Sequence, residues 1–235
     1  MACLNEVNQL SDLRFDDPLT GGVNLPAVGR GKVDRPGKIV CIGRNYLEHA
    51  KELGNEVPAE PLFFLKPSTS VIAEGDPIIL PPQSERVEFE GEIGIVIGAK
   101  LTRASEAEAI RGIAGIVALN DVTARDLQRK DSQWTRAKGF DSFCPIGNVA
   151  DAPSDLSTLT VVTRLNGEEK QRGSARDMAF SIPMLLSYVS HVMTLEPGDI
   201  LATGTPAGVA PLKPGDTVEV EVEGYSKVSN PVSAL

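Results

Sequence analysis

The chain has 235 residues, 41% of them hydrophobic and 23% charged, which is the composition of a globular protein long enough to bury a substantial core. Its net charge of −9 has the wrong sign for a protein that binds nucleic acid through phosphates, and no apolar run approaches the roughly 20 residues of a membrane span. Three cysteines without C-x-x-C spacing argue against a disulfide framework or a thiolate zinc site, and two histidines exclude a multi-histidine site, so any metal must be held mainly by oxygen ligands.

Residues 1–35 have a mixed composition and run into LPAVGRGKVDRPGK, which is rich in glycine and proline. We interpret them as an N-terminal extension that packs on a main body. The length fits one large domain or two small ones, and we favour a single domain over residues 36–235. No basic segment followed by an apolar one begins the sequence, so no secretory signal is indicated and the expected location is cytoplasmic.

Seven β-branched runs bounded by turn residues predict strands. In chain order the runs are KIVCIG, DPIILPP, EIGIVIG, GIVALN, LTVVTRLNG, GDILATG and DTVEVEVEG. The tripeptides EGD and PGD, which begin at Glu74, Pro197 and Pro214, predict turns just before three of these strands.

Two short helices are indicated by capping patterns. In RNYLEHAKELG, Asn45 is a candidate N-cap with Glu48 three residues later, and Gly54 is a candidate stop. In VTARDLQRK, Thr123 and Asp126 repeat the same pattern. Both helices would follow strands and lie at the periphery of a sheet.

The segment SIPMLLSYVSHVM predicts a third helix with one apolar face, and His191 lies off that face near the helix end. The face is formed by Ile182, Leu185, Leu186, Val189, Val192 and Met193. Because strands outnumber helices, the predicted class is mostly β (α+β) with a few short helices.

Three glutamates open the segment EFEGEIGIVIG, and their mutual repulsion requires an explanation. If the segment is one strand, Glu88, Glu90 and Glu92 lie on the same face at intervals of roughly 7 Å. They can form the solvated face of an edge strand, or they can hold a divalent cation with Asp121, which ends the apolar run GIVALN. The alternative interpretation of Asp121 is that it only closes a strand-to-helix turn.

A histidine and a glutamate three residues apart indicate a possible base. In HAKE, His49 and Glu52 can meet on one helical face, and a carboxylate that orients an imidazole is the arrangement that water activation requires. A surface pair without function is the alternative interpretation.

Two further segments offer groups for substrate. Lys138, in TRAKGFDSFCP, is either an exposed loop lysine or a cation aimed at a developing enolate. In ATGTPAG, Thr203, Gly204 and Thr205 either hold a substrate carboxylate through backbone N–H and hydroxyl donors or form a plain Gly-Pro turn.

Taken in order, the segments resemble the fumarylacetoacetate hydrolase family, in particular its small acylpyruvase-type members. The matching segments span about residues 36–232 and are GRNYLEHAKELG, PLFFLKPSTSVIAEGDPIILPP, EFEGEIGIVIG, NDVTARDLQ, WTRAKGFDSFCPIG, LNGEEKQRGSARDM and LEPGDILATGTPAGV. The resemblance implies a mixed β-roll or sandwich with short helices around a central metal cavity, in a homodimer.

The resemblance also assigns roles to residues. It implies that Glu90, Glu92 and Asp121 are the metal ligands, whereas Glu88 lies behind them or faces solvent. It implies that His49 and Glu52 activate water from a short lid helix. Positions near bound substrate correspond to Arg44, Tyr46, Arg125, Gln128, Lys138 and Thr205.

For the whole protein, the resemblance implies a hydrolase dependent on Mg²⁺ or Mn²⁺. Its substrate would be a small 2-oxo acid, namely an acylpyruvate or fumarylpyruvate, cleaved at a C–C bond through a chelated pyruvate enolate. Decarboxylation of oxaloacetate or isomerisation of a 2-hydroxymuconate-type diacid uses the same enolate and stays open. A non-catalytic, metal-bound scaffold dimer is the alternative from another class.

Overall fold

The computed structural model of the chain describes residues 36–52 and 58–235. The predicted N-terminal extension and the proposed helix stop at Gly54 lie outside these residues. The strands are β1 (Ile39–Gly43), β2 (Leu62–Lys66), β3 (Val71–Ile72), β4 (Ile78–Leu80), β5 (Val87–Glu88), β6 (Gly91–Ile97), β7 (Ile113–Asn120), β8 (Thr123–Ala124), β9 (Cys144–Pro145), β10 (Thr160–Leu165), β11 (Glu168–Ser174), β12 (Ile200–Ala202), β13 (Thr217–Val222) and β14 (Ser226–Ala234). The α-helices are α1 (Leu47–Glu52), α2 (Glu106–Arg111), α3 (Arg125–Lys130), α4 (Thr135–Lys138) and α5 (Ile182–Val192).

Two five-stranded sheets form the body of the protein. The first sheet has the order β2-β1-β12-β6-β7 and is mixed, because β1 and β12 are parallel whereas its other pairs are antiparallel. The second sheet has the order β11-β10-β13-β14-β4, and only its β14–β4 pair is parallel. The predicted mostly β class with mixed sheets is confirmed.

The two sheets pack face to face across the main core, and helix α5 packs against the same core. This core joins Ile93 and Ile95 of β6 to Val161 of β10, Val220 of β13 and Leu185 of α5. The close approach depends on Gly91, since a Cβ there would lie 1.9 Å from Oγ1 of Thr163.

The first sheet is buried on its other face as well. Val96, Val117 and Leu119 pack there against Val71 and Cys144 of the small β3–β9 sheet. All seven residues of β6 are therefore buried, as its continuous apolar run predicted.

All seven predicted strands are present, and the three predicted turns carry glycines at positive φ, namely Gly75 (82°), Gly198 (90°) and Gly215 (92°). The third predicted helix is α5, and His191 is exposed near its end as expected. The prediction extends the apolar face too far toward the end of the helix, because Val192 is 60% exposed and Met193 is only partly buried.

Both predicted N-caps of the shorter helices are wrong. The amide of Asn45 donates to the carbonyls of Thr203 (2.8 Å) and Phe180 (3.2 Å), so it ties together three segments instead of capping α1. Helix α3 starts after Ala124 without a side-chain cap. The Thr123 hydroxyl donates to the carbonyl of Asp121, two residues earlier, so a local bond occupies it, whereas long-range contacts occupy the side chain of Asn45, whose Oδ1 accepts from the Phe180 N–H at 2.9 Å.

Candidate functional site

The register of β6 and β7 brings the acidic residues together. In this antiparallel pair Gly91 lies opposite Asn120, so Glu90, just before β6, lies beside Asp121, just after β7. The Asp121 N–H donates to the Glu90 carbonyl at 2.8 Å, and the Glu90 N–H donates to Oδ1 of Asn120 at 3.0 Å. Glu92 lies two residues from Glu90 and shares its face of the sheet.

The three acids form a buried cluster. One carboxylate oxygen from each of Glu90, Glu92 and Asp121 lies within 4.8 Å of the others, and the residues are 5%, 1% and 1% exposed. These are hard oxygen donors at a strand end, and the set fits a hard divalent cation. The simple turn-closing interpretation of Asp121 does not account for its burial within this cluster.

The segment that begins EFEGEIG is not one continuous strand. Strand β5 ends at Glu88 and β6 begins at Gly91, so the interpretation of three glutamates on one solvated edge is wrong. Glu88 is 1% exposed and accepts from Nε of Arg125 and Nε of Arg86, each at 2.6 Å. It therefore lies behind the cluster as an anchor for Arg125 and does not face solvent.

Three buried cations surround the acids. Arg125 donates to Oε1 of Glu90 at 2.5 Å, and Lys138 donates to Oε2 of Glu90 at 2.7 Å. Lys138 also donates to Oδ2 of Asp121 at 2.7 Å, whereas Oδ1 of Asp121 accepts from Nζ of Lys66 at 2.7 Å. The expectation of an exposed loop lysine at 138 is wrong, because Lys138 ends helix α4 and is 1% exposed.

The surroundings drive the pKa values of the two glutamates apart. Burial alone would raise the pKa of Glu90, but the Lys138 ammonium and the Arg125 guanidinium outweigh it and hold that pKa well below its ordinary value. Burial, together with the charges of Asp121 and Glu90, raises the pKa of Glu92 well above its ordinary value. Glu92 makes no ion pair with Lys66, Arg125 or Lys138, and it accepts from the Gly204 N–H at 2.8 Å.

Helix α1 carries a histidine–glutamate pair at the same cavity. Nδ1 of His49 lies 3.0 Å from Oε2 of Glu52, and the other oxygen of Glu52 accepts from the Gly208 N–H at 3.0 Å. His49 is 4% exposed, which does not fit the alternative of a surface pair. With Nδ1 directed to a carboxylate, Nε2 is the nitrogen left to accept a proton.

A cavity of about 320 Å³ connects these groups. Most predicted site residues line it, namely Arg44, His49, Glu90, Glu92, Asp121, Arg125, Gln128, Lys138 and Thr205. Glu52 and Tyr46 are not part of its lining; the Tyr46 side chain is buried, and its hydroxyl has no hydrogen-bond partner among the described residues. Arg125 lines the cavity with Nε, Nη1 and Nη2 already donating to Glu88, Gln128 and Glu90.

The donors of the segment after β12 are mostly turned inward. The Thr203 hydroxyl donates to the Ile93 carbonyl, and the Gly204 N–H is used by Glu92. The expectation that these two residues offer donors to a substrate carboxylate is therefore wrong. Thr205 does reach the cavity, where its hydroxyl accepts from Gln171 and donates to the Gly91 carbonyl.

Two charged contributors were absent from the sequence-based set, as were the cavity-lining aromatic residues Phe64 and Trp134. Lys66 is the last residue of strand β2, whose other residues, LFFL, are all apolar. A lysine in an otherwise apolar strand signals a buried cation that needs an acidic partner. Arg129 lines the cavity next to Gln128, but an exposed arginine on a short helix carries no distinguishing sequence signal.

Comparison with known proteins gives a consistent result. A profile of the family described as "Fumarylacetoacetate (FAA) hydrolase C-terminal" matches residues 38–233. The chain is 43% identical over 194 residues to "Oxaloacetate decarboxylase, mitochondrial" of Dictyostelium discoideum, covering 80% of this chain and 89% of that protein. It is 41% identical over 192 residues to a mitochondrial oxaloacetate tautomerase of Bos taurus, covering 79% and 87%.

A solved structure shares the fold. The crystal structure of 5-carboxymethyl-2-hydroxymuconate delta-isomerase from Mycobacterium smegmatis matches with a TM-score of 0.79 and 44% identity, covering 85% of this chain and 80% of that one. In the part of this chain that the structure describes, no helix is long and apolar enough to cross a membrane. Because both named relatives are mitochondrial, the cytoplasmic location stays a prediction.

Proposed function

The chain belongs to the fumarylacetoacetate hydrolase family, as its motifs predicted, and from this premise we propose that it is a metal-dependent hydrolase that cleaves a C–C bond in 2,4-dioxo acids of the acylpyruvate or fumarylpyruvate type. The observation that carries the proposal is the His49–Glu52 pair at the cavity that holds the three-carboxylate cluster. Hydrolysis needs a base that activates water, whereas decarboxylation does not.

The proposed cation is Mg²⁺ or Mn²⁺, held by Glu90, Glu92 and Asp121, since both ions prefer carboxylate oxygens. When bound, such a cation supplies Lewis acidity toward the keto and carboxylate oxygens of a 2-oxo acid.

The protein groups supply the remaining steps. His49 takes a proton from water at Nε2, and Glu52 stabilises the imidazolium through Nδ1. The water oxygen adds to the distal carbonyl carbon, the adjacent C–C bond breaks, and its electron pair stays on the three-carbon fragment as pyruvate enolate. Lys138 has a third N–H beyond those given to Glu90 and Asp121, and it stabilises the enolate charge. The proton on His49 then passes to the enolate carbon, which yields pyruvate and a carboxylic acid.

Substitution of the base tests the proposal. We expect His49→Ala to lose at least about 10²-fold in kcat/KM for acetylpyruvate hydrolysis, the lower range for a general base, with pyruvate release measured in Mg²⁺. The matched control is His191→Ala, because His191 is exposed on α5, where its Nδ1 lies 2.9 Å from the Ser187 carbonyl, and it does not line the cavity. Equal hydrolysis by wild type and His49→Ala would remove the water-activating role.

A second candidate is decarboxylation or tautomerisation of oxaloacetate. Arg44 and Arg129 line the cavity, and neither forms an ion pair with another of the described residues, so both can receive a second carboxylate. Two relatives are named for reactions of oxaloacetate. Because decarboxylation needs no activated water, His49→Ala should keep this activity while it loses hydrolysis. Tautomerisation of oxaloacetate and isomerisation of a 2-hydroxymuconate-type diene both move a proton and therefore use a base, so His49→Ala should lower both activities.

A non-catalytic scaffold is the remaining alternative. It predicts metal binding without turnover of acetylpyruvate, fumarylpyruvate or oxaloacetate, with or without chelator. The intact set of His49, Glu52 and Lys138 around the carboxylate cluster supports an enzyme instead.

We also propose a homodimer. Leu62 and Leu65 lie on β2, the edge strand of the first sheet, and they are 37% and 44% exposed, while Leu47 on α1 is 52% exposed. Exposed apolar side chains on a sheet edge favour association. Light scattering at several protein concentrations measures the mass, and a monomer throughout would contradict the proposal.

A further inference from the structure

Lys66 is a fully buried cation that the proposed reaction does not use. It ends strand β2, its side chain is 0% exposed, and Nζ donates to Oδ1 of Asp121 at 2.7 Å and to the Val122 carbonyl at 3.1 Å. Unlike Lys138, it does not line the cavity. Lys66 therefore contacts Asp121 from behind, where substrate does not reach.

The two oxygens of Asp121 are held by different lysines. Lys138 donates to Oδ2 from the side of the cavity, and Lys66 donates to Oδ1 from the protein interior. A cavity-lining lysine can exchange a carboxylate for a substrate oxygen, but Lys66 has no such alternative acceptor in the cavity. Its charge is consequently a fixed part of the site.

The net charge of the buried groups indicates how the charge of Lys66 affects ligand binding. Four buried acids lie in the site, namely Glu88, Glu90, Glu92 and Asp121, and three buried cations face them, namely Lys66, Arg125 and Lys138. Arg86 also pairs with Glu88, but its side chain is 49% exposed and its charge is screened by solvent. In the metal-bound state, in which the ligand carboxylates are ionised, these seven buried groups and a divalent cation together carry one positive charge. That positive charge matches a single carboxylate of an incoming 2-oxo acid.

We propose that Lys66 is a positioning residue that lowers the affinity of the carboxylate cluster for its divalent cation and thereby keeps the loaded site positive enough to bind an anionic substrate. This inference rests on the proposed function. Removing the charge of Lys66 leaves the loaded site neutral, so metal and substrate affinities should move in opposite directions.

The test is Lys66→Met, which matches the lysine side chain as far as Cε and removes the charged Nζ. By calorimetric titration we expect Mg²⁺ to bind at least about tenfold more tightly than to wild type, and oxalate, a planar mimic of pyruvate enolate, to bind the Mg²⁺-saturated protein at least about tenfold more weakly. The matched control is Lys38→Met, since Lys38 pairs with the buried Asp199 away from the cavity, and both constants should stay at wild-type values.

A purely structural role would weaken both ligands, and that result would overturn the proposal, as would unchanged constants. If Lys66→Met does not fold, the same titrations are made on Lys66→Gln, which keeps a donor toward Asp121 without charge and carries the same expectations. Lys66→Arg restores the charge and should return both constants toward wild type. Because neither titration requires turnover, a protein that binds Mg²⁺ but hydrolyses nothing would refute the proposed function and still test Lys66.

Discussion

Replacing Arg125 with methionine tests whether buried ion pairs hold the acidic site together. The residue is 2% exposed, and its guanidinium donates to Glu88 at 2.6 Å and to Glu90 at 2.5 Å. Methionine fills the space of the aliphatic part of the arginine side chain, but it removes the positive charge that pairs with the buried carboxylates of Glu88 and Glu90. Removal of one partner from a buried ion pair costs about 3–5 kcal/mol, so we expect the metal-free variant to lose about that much unfolding free energy at pH 7.

The sign of the pH dependence follows from Glu90. Its pKa is depressed in the folded protein by Lys138 and Arg125, despite its burial. Its ion pairs therefore contribute stability above the pKa of an unfolded glutamate, and this stability is lost as the pH falls through the folded pKa. The difference in stability between wild type and Arg125→Met should be largest near neutral pH and should narrow below about pH 4.

Urea unfolding in the presence of EDTA, at pH 7 and at about pH 3, measures the loss of stability and its narrowing at low pH. Arg172→Met is the matched control, since Arg172 also pairs with two carboxylates, those of Glu169 and Glu223, but does so at the surface. We expect the control to unfold like wild type. An Arg125→Met protein within about 0.5 kcal/mol of wild type at pH 7 would refute the reasoning, because that is the range of ordinary surface substitutions.

Two further outcomes are expected. Mg²⁺ at 100 times its dissociation constant should stabilise the metal-free protein by about 2.7 kcal/mol in a thermal scan. The Glu92→Gln variant should show no rise in melting temperature at the same Mg²⁺ concentration. A rise equal to that of wild type would mean that Glu92 is not a ligand. Gly91→Ala should lose about 1–3 kcal/mol in urea unfolding, because its Cβ would lie 1.9 Å from Oγ1 of Thr163. Adding Thr163→Ala should recover part of the loss, and wild-type stability of the single variant would contradict the predicted contact.

The features that could be predicted from the sequence are those that local pattern determines. The continuous apolar run of β6 predicted a strand buried on both faces, and the acids at its start and after β7 converge because an antiparallel register requires it. Some readable signals were missed, such as the capping box of Ser105 and Glu108 at the start of α2.

Other features depend on contacts that no local pattern contains. Strand β11, with the sequence EEKQRGS, lacks the apolar alternation of a strand and is fixed by pairing with β10. Asn45 has the residue type of an N-cap, yet long-range hydrogen bonds to Thr203 and Phe180 occupy its side chain. The contact of Lys66 with Asp121 depends on the pairing of β2 with β1 and on the place of β7 in the same sheet.

The parallel pairing of β1 with β12 has a consequence for biosynthesis. Ile39 lies beside Ile200, so a chain emerging from the ribosome cannot complete its first sheet until Ile200 has been made. Gly204 and Thr205, which complete the surroundings of Glu92 and the cavity wall, arrive with that last central strand. Pairings of such sequence separation are slow to form, and the nascent protein should therefore acquire its ability to bind a cation only after β12 and Thr205 have left the ribosome.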